Sequence, residues 1–310
     1  MSDHEFEFQA YDGVHISYYK WEHEPGQTLQ GIILILHGMA EHALRYKNFA
    51  QFLNVSGFTV FACDHRGHGK TGIATGTLGD FEAGWQAVVN DIHQLVGIVK
   101  KENKDLPIIV LGHSMGSLLA RSCIMQFGNE FQGVILSGTT NSVNAISRIM
   151  GLRLSQMTAL IYGSNKKSKF LQGLFFGNYN KTFSNDHGGY DWLSRDRKIV
   201  QEYNDDPLCG FTCTAGFYVE MMRGIKSVVN AHHLTKIPKD LPIFILSGAK
   251  DPVGSNGKDV QKAFDLYKKQ GIKNISVKLY EGGRHEMLNE VNREEVYQDI
   301  LHWIGKNVTL

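Results

Sequence analysis

Cysteine is scarce in this chain, with Cys63, Cys123, Cys209 and Cys213 the four among 310 residues. Two of them sit inside apolar patterns, so the expectation is buried, reduced thiols of a cytoplasmic protein and not a disulfide framework. Cys209 and Cys213 are spaced to bridge or to share a metal, but a closed zinc site takes four ligands and no Cys-x-x-Cys occurs; no metal or cofactor is expected. Charge of one sign is also lacking. Lys and Arg number 32 against 31 Asp and Glu, leaving +1, and that balance gives no electrostatic footprint for nucleic acid. The longest aliphatic run, Ile32 to Leu36, falls far short of the roughly 20 residues a membrane crossing takes. The acidic start Met1-Ser2-Asp3-His4-Glu5 has neither a basic nor an apolar leader region, so no secretory signal is expected. Internal repeats and low-complexity tracts are absent, and the 14 histidines are scattered.

What is present is an ordinary globular composition, 42% hydrophobic and 20% charged, patterned as alternating strands and helices. Phe6–Tyr11 and Val14–Trp21 read as a hairpin around Asp12-Gly13, because Asp-Gly supplies the positive φ of a tight turn. Gly31–Leu36, Phe58–Cys63, Leu106–Leu111 and Gly133–Ser137 are short runs rich in β-branched residues, the pattern of strands buried on both faces. Tyr46–Val55, Glu82–Lys101 and Met115–Phe127 carry helical spacing between them. The alternation stops at about Thr139 and resumes at Pro242–Ser247 (strand), Lys258–Gln270 (helix), Ile275–Tyr280 (strand) and Arg293–Lys306 (helix). Between lie helical stretches only, Ile146–Tyr162, Phe170–Phe175 and Thr214–Val229. The expectation is one α/β core, residues 1–138 and 236–310, interrupted by a helical cap insertion, residues 139–235.

The most informative pentapeptide is Gly112-His113-Ser114-Met115-Gly116. It follows one strand and opens a helix, the context in which G-x-S-x-G forms a sharp turn that lifts the serine hydroxyl out at the carboxyl edge of the sheet. A serine needs a base to accept its proton, and the base and its orienting acid should follow in the order acid, then histidine. Asp251 comes just after the strand ending Ser247-Gly248, and His285 follows the last strand in Glu281-Gly282-Gly283-Arg284-His285. Asp259, Glu281 and Asp265 are rivals to Asp251; Asp265 is the weakest because it falls mid-helix. Two backbone donors complete the set as an oxyanion hole: the N–H of Met115, after the serine, and that of Met39, after the strand ending His37-Gly38.

Asp64-His65-Arg66-Gly67-His68-Gly69-Lys70-Thr71 invites a metal or phosphate reading. Its spacing matches neither a zinc-protease helix nor a P-loop, and it reads as a structural loop whose turns Asp64 and Arg66 tie down.

Together, Gly112–Gly116, His37-Gly38-Met39-Ala40-Glu41-His42, Asp64–Gly69 and Gly283-Arg284-His285 resemble the monoacylglycerol lipase/lysophospholipase branch of the α/β-hydrolase superfamily, the serine aminopeptidase S33 or hydrolase-4 group. In the central insertion, Asp191–Asp196 and Asp206–Phe211 resemble bacterial members. The resemblance implies a mostly parallel eight-stranded sheet with helices on both faces and an inserted helical cap. It also implies Ser114 as nucleophile, Asp251 and His285 as its partners, and Met39 and Met115 as oxyanion donors. Met39 stands where the family often has Ala, which bears on pocket size.

The resulting expectation is a serine carboxyl-ester hydrolase acting on a small ester substrate, lipid-like in kind, with no nucleic-acid partner. Apolar residues of the insertion, Met150, Met157, Phe175 and Met221 among them, are candidates for an acyl channel, with methionine an adaptable wall. Contact with micelles or membrane is expected to be transient at most, since no amphipathic anchor stands out. The competing readings are an amidase or aminopeptidase on the same scaffold, a non-catalytic small-molecule receptor, and a metallohydrolase using His65 and His68.

Overall fold

The computed structural model describes residues 4–141, 145–183 and 188–309. Strands β1 (His4–Gln9) and β2 (His15–Trp21) form the expected hairpin, with Gly13 at φ 91° in its turn. Then come β3 (Gly31–Leu36), α1 (Lys47–Val55), β4 (Phe58–Cys63), α2 (Gly69–Ala74), α3 (Trp85–Glu102), β5 (Ile108–His113), α4 (Met115–Phe127) and β6 (Gly133–Ser137). After β6 the chain makes α5 (Ala145–Tyr162), α6 (Lys169–Phe176), α7 (Arg197–Asp205), α8 (Ala215–Val228) and α9 (Ala231–Leu234). It closes with β7 (Ile243–Gly248), α10 (Lys258–Lys269), β8 (Ile275–Tyr280) and α11 (Arg293–Asn307).

The strands form one eight-stranded sheet in the order β1-β2-β4-β3-β5-β6-β7-β8. β2 runs antiparallel to both neighbours, and every pairing from β4 to β8 is parallel. Side chains alternate across a strand, so each central strand feeds two cores. Ile32, Leu34 and Leu36 of β3 join the core under α3, α4 and α10, where Val88, Ile92, Leu119 and Val260 pack. Ile33 and Ile35 join the core under α1 and α11, with Phe49, Leu53, Tyr297 and Ile300. Helices covering both faces explain why these strands read as continuous apolar runs. All four cysteines are buried and free.

The expected elements are present, with ends that coincide or differ by up to three residues. Helices α2, α7 and α9 were not expected, and the segment read as a loop from Asp64 to Thr71 runs into α2. Asp64 ties its turns, accepting from the amides of Ala43 and Lys70 and from the Tyr19 hydroxyl. Arg66 instead reaches out of the loop, to Asp91 and Asp12.

Helix α5 is built inside out. Its buried positions are small or polar, Gly151, Ser155 and Thr158, with both hydroxyls returned to carbonyls of the preceding turn. Its outward stripe is Ile146, Ile149, Met150, Met157, Leu160 and Ile161, each between 57% and 87% exposed. No helix among the described residues is long and apolar enough to cross a membrane.

Candidate active site

The site lies at the carboxyl edge of the sheet, where β5, β7 and β8 end. Ser114 joins β5 to α4 with φ 52° and ψ −118°, a backbone region that costs a non-glycine residue on the order of 1–3 kcal/mol. Its neighbours explain both flanking glycines. A Cβ on Gly116 would stand 2.0 Å from the Leu36 carbonyl oxygen, and one on Gly112 would stand 2.3 Å from that of Gly116. Only bare backbone lets α4 start this close to β3. The Ser114 amide donates to Ser137 O at 2.9 Å, anchoring the turn to β6.

Asp251 and His285 are brought together. Asp251 Oδ2 lies 2.9 Å from His285 Nδ1, takes a second hydrogen bond from Ser247 Oγ, and the other carboxylate oxygen accepts from the Val253 amide. Both residues are buried. Burial pushes the imidazole of His285 down, but the Asp251 carboxylate, helped by Glu286 and Glu41, outweighs it and leaves the histidine above its ordinary value. The rivals lie elsewhere: Asp259 is held by Ser255 and Lys262, Asp265 faces outward on α10 beside Gln261, and Glu281 is exposed.

Ser114 and His285 line one cavity of about 400 Å³, with Glu41, His113, Tyr203 and Glu286 among its polar walls. Ser114 also lines a second, apolar cavity of about 390 Å³, walled by Leu118, Leu154, Phe175, Met221, Met222 and Ile225. Met39 borders both. Of the two methionines on the outward stripe of α5, Met150 borders the apolar cavity, as Phe175 does, whereas Met157 falls outside it, beside the start of α6. Helical spacing alone made Met150 and Met157 equivalent. Among the described residues the amides of Met39 and Met115 donate to no protein group; Met115 opens α4, where the helix dipole adds its positive end.

The sequence reading missed the polar frame that carries these loops. Glu41 accepts from the Gly38 amide and, at 2.8 Å, from the Tyr46 hydroxyl. Arg45 lies 2.6 Å from Glu41 and grips Glu286 through two bonds of 2.7 Å. The available signal was the spacing of Glu41 and Arg45, one helical turn apart, with a second acid adjoining His285. The segment between β6 and β7 joins the frame: the Ala40 carbonyl, at φ 52°, accepts from the Gly210 amide and the Tyr203 hydroxyl. His65 and His68 follow the carboxyl end of β4 but line neither cavity at Ser114; they are buried with His37, ring centroids 4.1 and 5.3 Å from it. His42, Asp206 and Cys209 do converge, but His42 is paired with Asp206 at 2.8 Å and the Arg45 guanidinium lies close to Cys209, which disfavours a cation there.

A mostly parallel sheet covered on both faces, with a serine elbow and a buried carboxylate–histidine pair at its edge, defines an α/β-hydrolase fold, and the relatives make the chain a carboxylic ester hydrolase. A family model described as Serine aminopeptidase, S33 matches residues 27–292, and the chain belongs to that family. It is similar to a monoacylglycerol lipase of Mycolicibacterium smegmatis, 29% identical over 97% of this chain and 96% of that one. Similarity to a monoglyceride lipase of Rattus norvegicus is 27%, over 96% of this chain and 89% of that one. The structure also resembles a thermostable carboxyl esterase of Bacillus coagulans solved with glycerol, TM-score 0.91, 28% identical, with both chains covered in full.

Proposed function

We propose that the chain hydrolyses monoacylglycerol- or lysophospholipid-like esters through an acyl-enzyme on Ser114. The observation that carries this reading is the position of Ser114 on the shared wall of a polar and an apolar cavity. An ester whose carbonyl reaches Ser114 can then lay its acyl chain among Phe175, Met221 and Ile225 and its hydroxylated alcohol among Glu41, His113 and Tyr203. The lipases named above act on esters of this shape, which supports the assignment.

In the proposed reaction Ser114 Oγ attacks the ester carbonyl carbon while neutral His285 takes its proton at Nε2. Asp251 holds Nδ1–H and stabilises the imidazolium. The amides of Met39 and Met115 receive the oxyanion, each such donor contributing about 2.7–4 kcal/mol to the transition state. The tetrahedral adduct expels the alkoxide, which leaves with the proton from His285. Water, deprotonated by the same histidine, then attacks the acyl-enzyme, and the carboxylic acid departs as Ser114 recovers its proton. The insertion, residues 139–235, acts as the cap that separates the two cavities from solvent. The outward apolar stripe of α5 gives the cap a face for lipid aggregates; which side of that helix is buried, and hence this face, was not readable in the sequence.

A panel of monoacylglycerols, lysophospholipids, p-nitrophenyl esters and aminoacyl-naphthylamides tests the reading. Turnover of medium and long acyl esters, lost by about 10⁶-fold in Ser114→Ala, is the expected result. Activity on acetyl esters or naphthylamides only would overturn the substrate assignment, and full activity in Ser114→Ala the mechanism.

A further inference from the structure

The catalytic-edge histidine has two neighbours that the reaction scheme does not use. The His285 ring has the His113 ring on one side, centroids 4.6 Å apart at 51°, and the Trp192 ring at 5.1 Å and 38°. His113 comes from the elbow itself. Trp192 comes from the insertion, on a segment laced to the histidine loop through main chain. The His285 amide donates to Trp192 O at 3.3 Å and the Glu286 amide to Leu193 O at 2.8 Å, while Arg284 donates to the carbonyls of Asp191 and Ser194. Arg195 pairs with Glu290 at 2.9 Å, one residue beyond. The indole is therefore delivered to His285 by bonds that do not involve the Trp192 side chain. Tyr179 backs it, ring centroids 5.2 Å apart, and Asn180 Oδ1 accepts its amide at 3.0 Å.

We infer that Trp192 is a positioning residue for the general base: its ring keeps the His285 imidazole in line between Asp251 and Ser114 and presents an electron-rich face when that imidazole becomes a cation. The inference rests on the proposed role of His285. The Asp251 bond at Nδ1 restrains rotation of the imidazole about χ2 without fixing it, and a ring packed against it narrows that rotation further. A tryptophan face is the best aromatic partner for a cation. His113 does not serve in this second capacity: burial, then the nearby charge of His285, brings it down to about 4, so it stays neutral at working pH and acts as packing. The titratable and charged groups facing His285 are Asp251 after β7, Glu286 beside it, Glu41 after β3 with its partner Arg45, and His113 on the elbow, and none is altered by changing Trp192.

The test is the pH profile of kcat/KM on p-nitrophenyl butyrate for Trp192→Leu and Trp192→Phe, alongside kcat and KM separately. In Trp192→Leu, kcat should fall by about tenfold with KM changed little, and the acid limb should move to lower pH by about half a unit or more, because the imidazolium has lost a favourable face. Trp192→Phe, which keeps a weaker aromatic face, should recover part of both effects. An unmoved acid limb with only KM raised would make Trp192 a plain cavity wall and overturn the inference. Equal behaviour of Leu and Phe in both readouts would do the same. Should the leucine variant fail to fold, the phenylalanine profile alone decides, by moving in the same direction or by matching the parent. Fluorophosphonate labelling of Ser114, read in the parent, separates failure of this inference from failure of the Ser114–His285 reading on which it rests.

Discussion

Arg45 holds Glu286 through two parallel hydrogen bonds of 2.7 Å, tying the loop after β3 to the residue that follows His285. Glu286 is buried and Arg45 is largely covered, and Arg45 also meets Glu41, whose other oxygen takes the Gly38 and Tyr46 donors. One guanidinium thus fixes the spacing between the proposed oxyanion loop and the proposed base. Burial lowers the basicity of Arg45, and the two carboxylates more than restore it.

Removing the arginine leaves two buried carboxylates facing each other, and breaking a buried pair from one side typically costs about 3–5 kcal/mol. Arg45→Met is expected to lose stability of that order in urea unfolding and to lose activity even where it is folded. Glu286→Gln keeps one acceptor and should cost less. If Arg45→Met melts with the parent, the frame does not hold the loops.

Acid should destabilise the fold well above the carboxylate range. Burial holds His68 and His113 near 4 and keeps His37 and His65 well below the usual histidine value. As pH drops below about 6.5 the unfolded chain takes up protons that the native chain refuses, so stability falls, by up to about 1.4 kcal/mol per pH unit for each such histidine. His285, raised by Asp251, works the other way: its contribution is present at low pH and fades as pH rises through its folded value. Four against one predicts a net loss between pH 6.5 and 5, measured by urea midpoints. Replacing one member, as in His68→Gln, should flatten that slope; an unchanged slope would count against the assignment.

Local chemistry made much of this legible. The elbow pentapeptide, the Asp-Gly hairpin and the β-branched strands each answer to steric rules that act over a few residues. Asp251 was readable because it comes just after a strand, at the edge where Ser114 stands. The Arg45–Glu286 pair was not, since it joins residues far apart in sequence whose types are ordinary on a surface. The segment holding Trp192 stood out only by its resemblance to bacterial members, and its contact with His285 was hidden for the same reason as the Arg45–Glu286 pair. Helix α5 shows a different obstacle: its large apolar residues point to the side that proves to be outward, and packing buried the small one, Gly151 and Ser155.

The apolar cavity should set acyl length. Ile225 is half-buried and lines it, so an indole at this position has room to turn inward. Ile225→Trp is expected to reduce turnover of dodecanoyl esters by about tenfold, a loss of about 1.4 kcal/mol in transition-state binding, while butyryl esters change little. An equal drop on both would show that the substitution disturbs the core and not the acyl path.

The outward stripe of α5 predicts a preference among surfaces. Exposed apolar area of this extent on one helix marks an interaction face, and the charge beside it has one sign. From residue 145 to 183 the sequence holds Arg148, Arg153, Lys166, Lys167, Lys169 and Lys181 and no Asp or Glu. Lys166, Lys167 and Lys169 share a surface cleft with Met157, Ile161, Tyr162 and Phe170, which brings cations and apolar side chains to the same plane. A basic residue near an anionic bilayer contributes about 1 kcal/mol, screened by salt. The chain is therefore expected to float with phosphatidylglycerol vesicles at low salt, to bind phosphatidylcholine vesicles weakly, and to leave the anionic vesicles as salt rises. Ile149→Glu with Leu160→Glu should abolish flotation on both vesicle types, while turnover of soluble p-nitrophenyl butyrate stays within about twofold, since neither residue lines the cavities at Ser114. Lys166→Glu with Lys167→Glu should remove the anionic preference and leave the weak phosphatidylcholine binding. Flotation unaffected by the α5 pair would place the lipid contact on another face of the molecule.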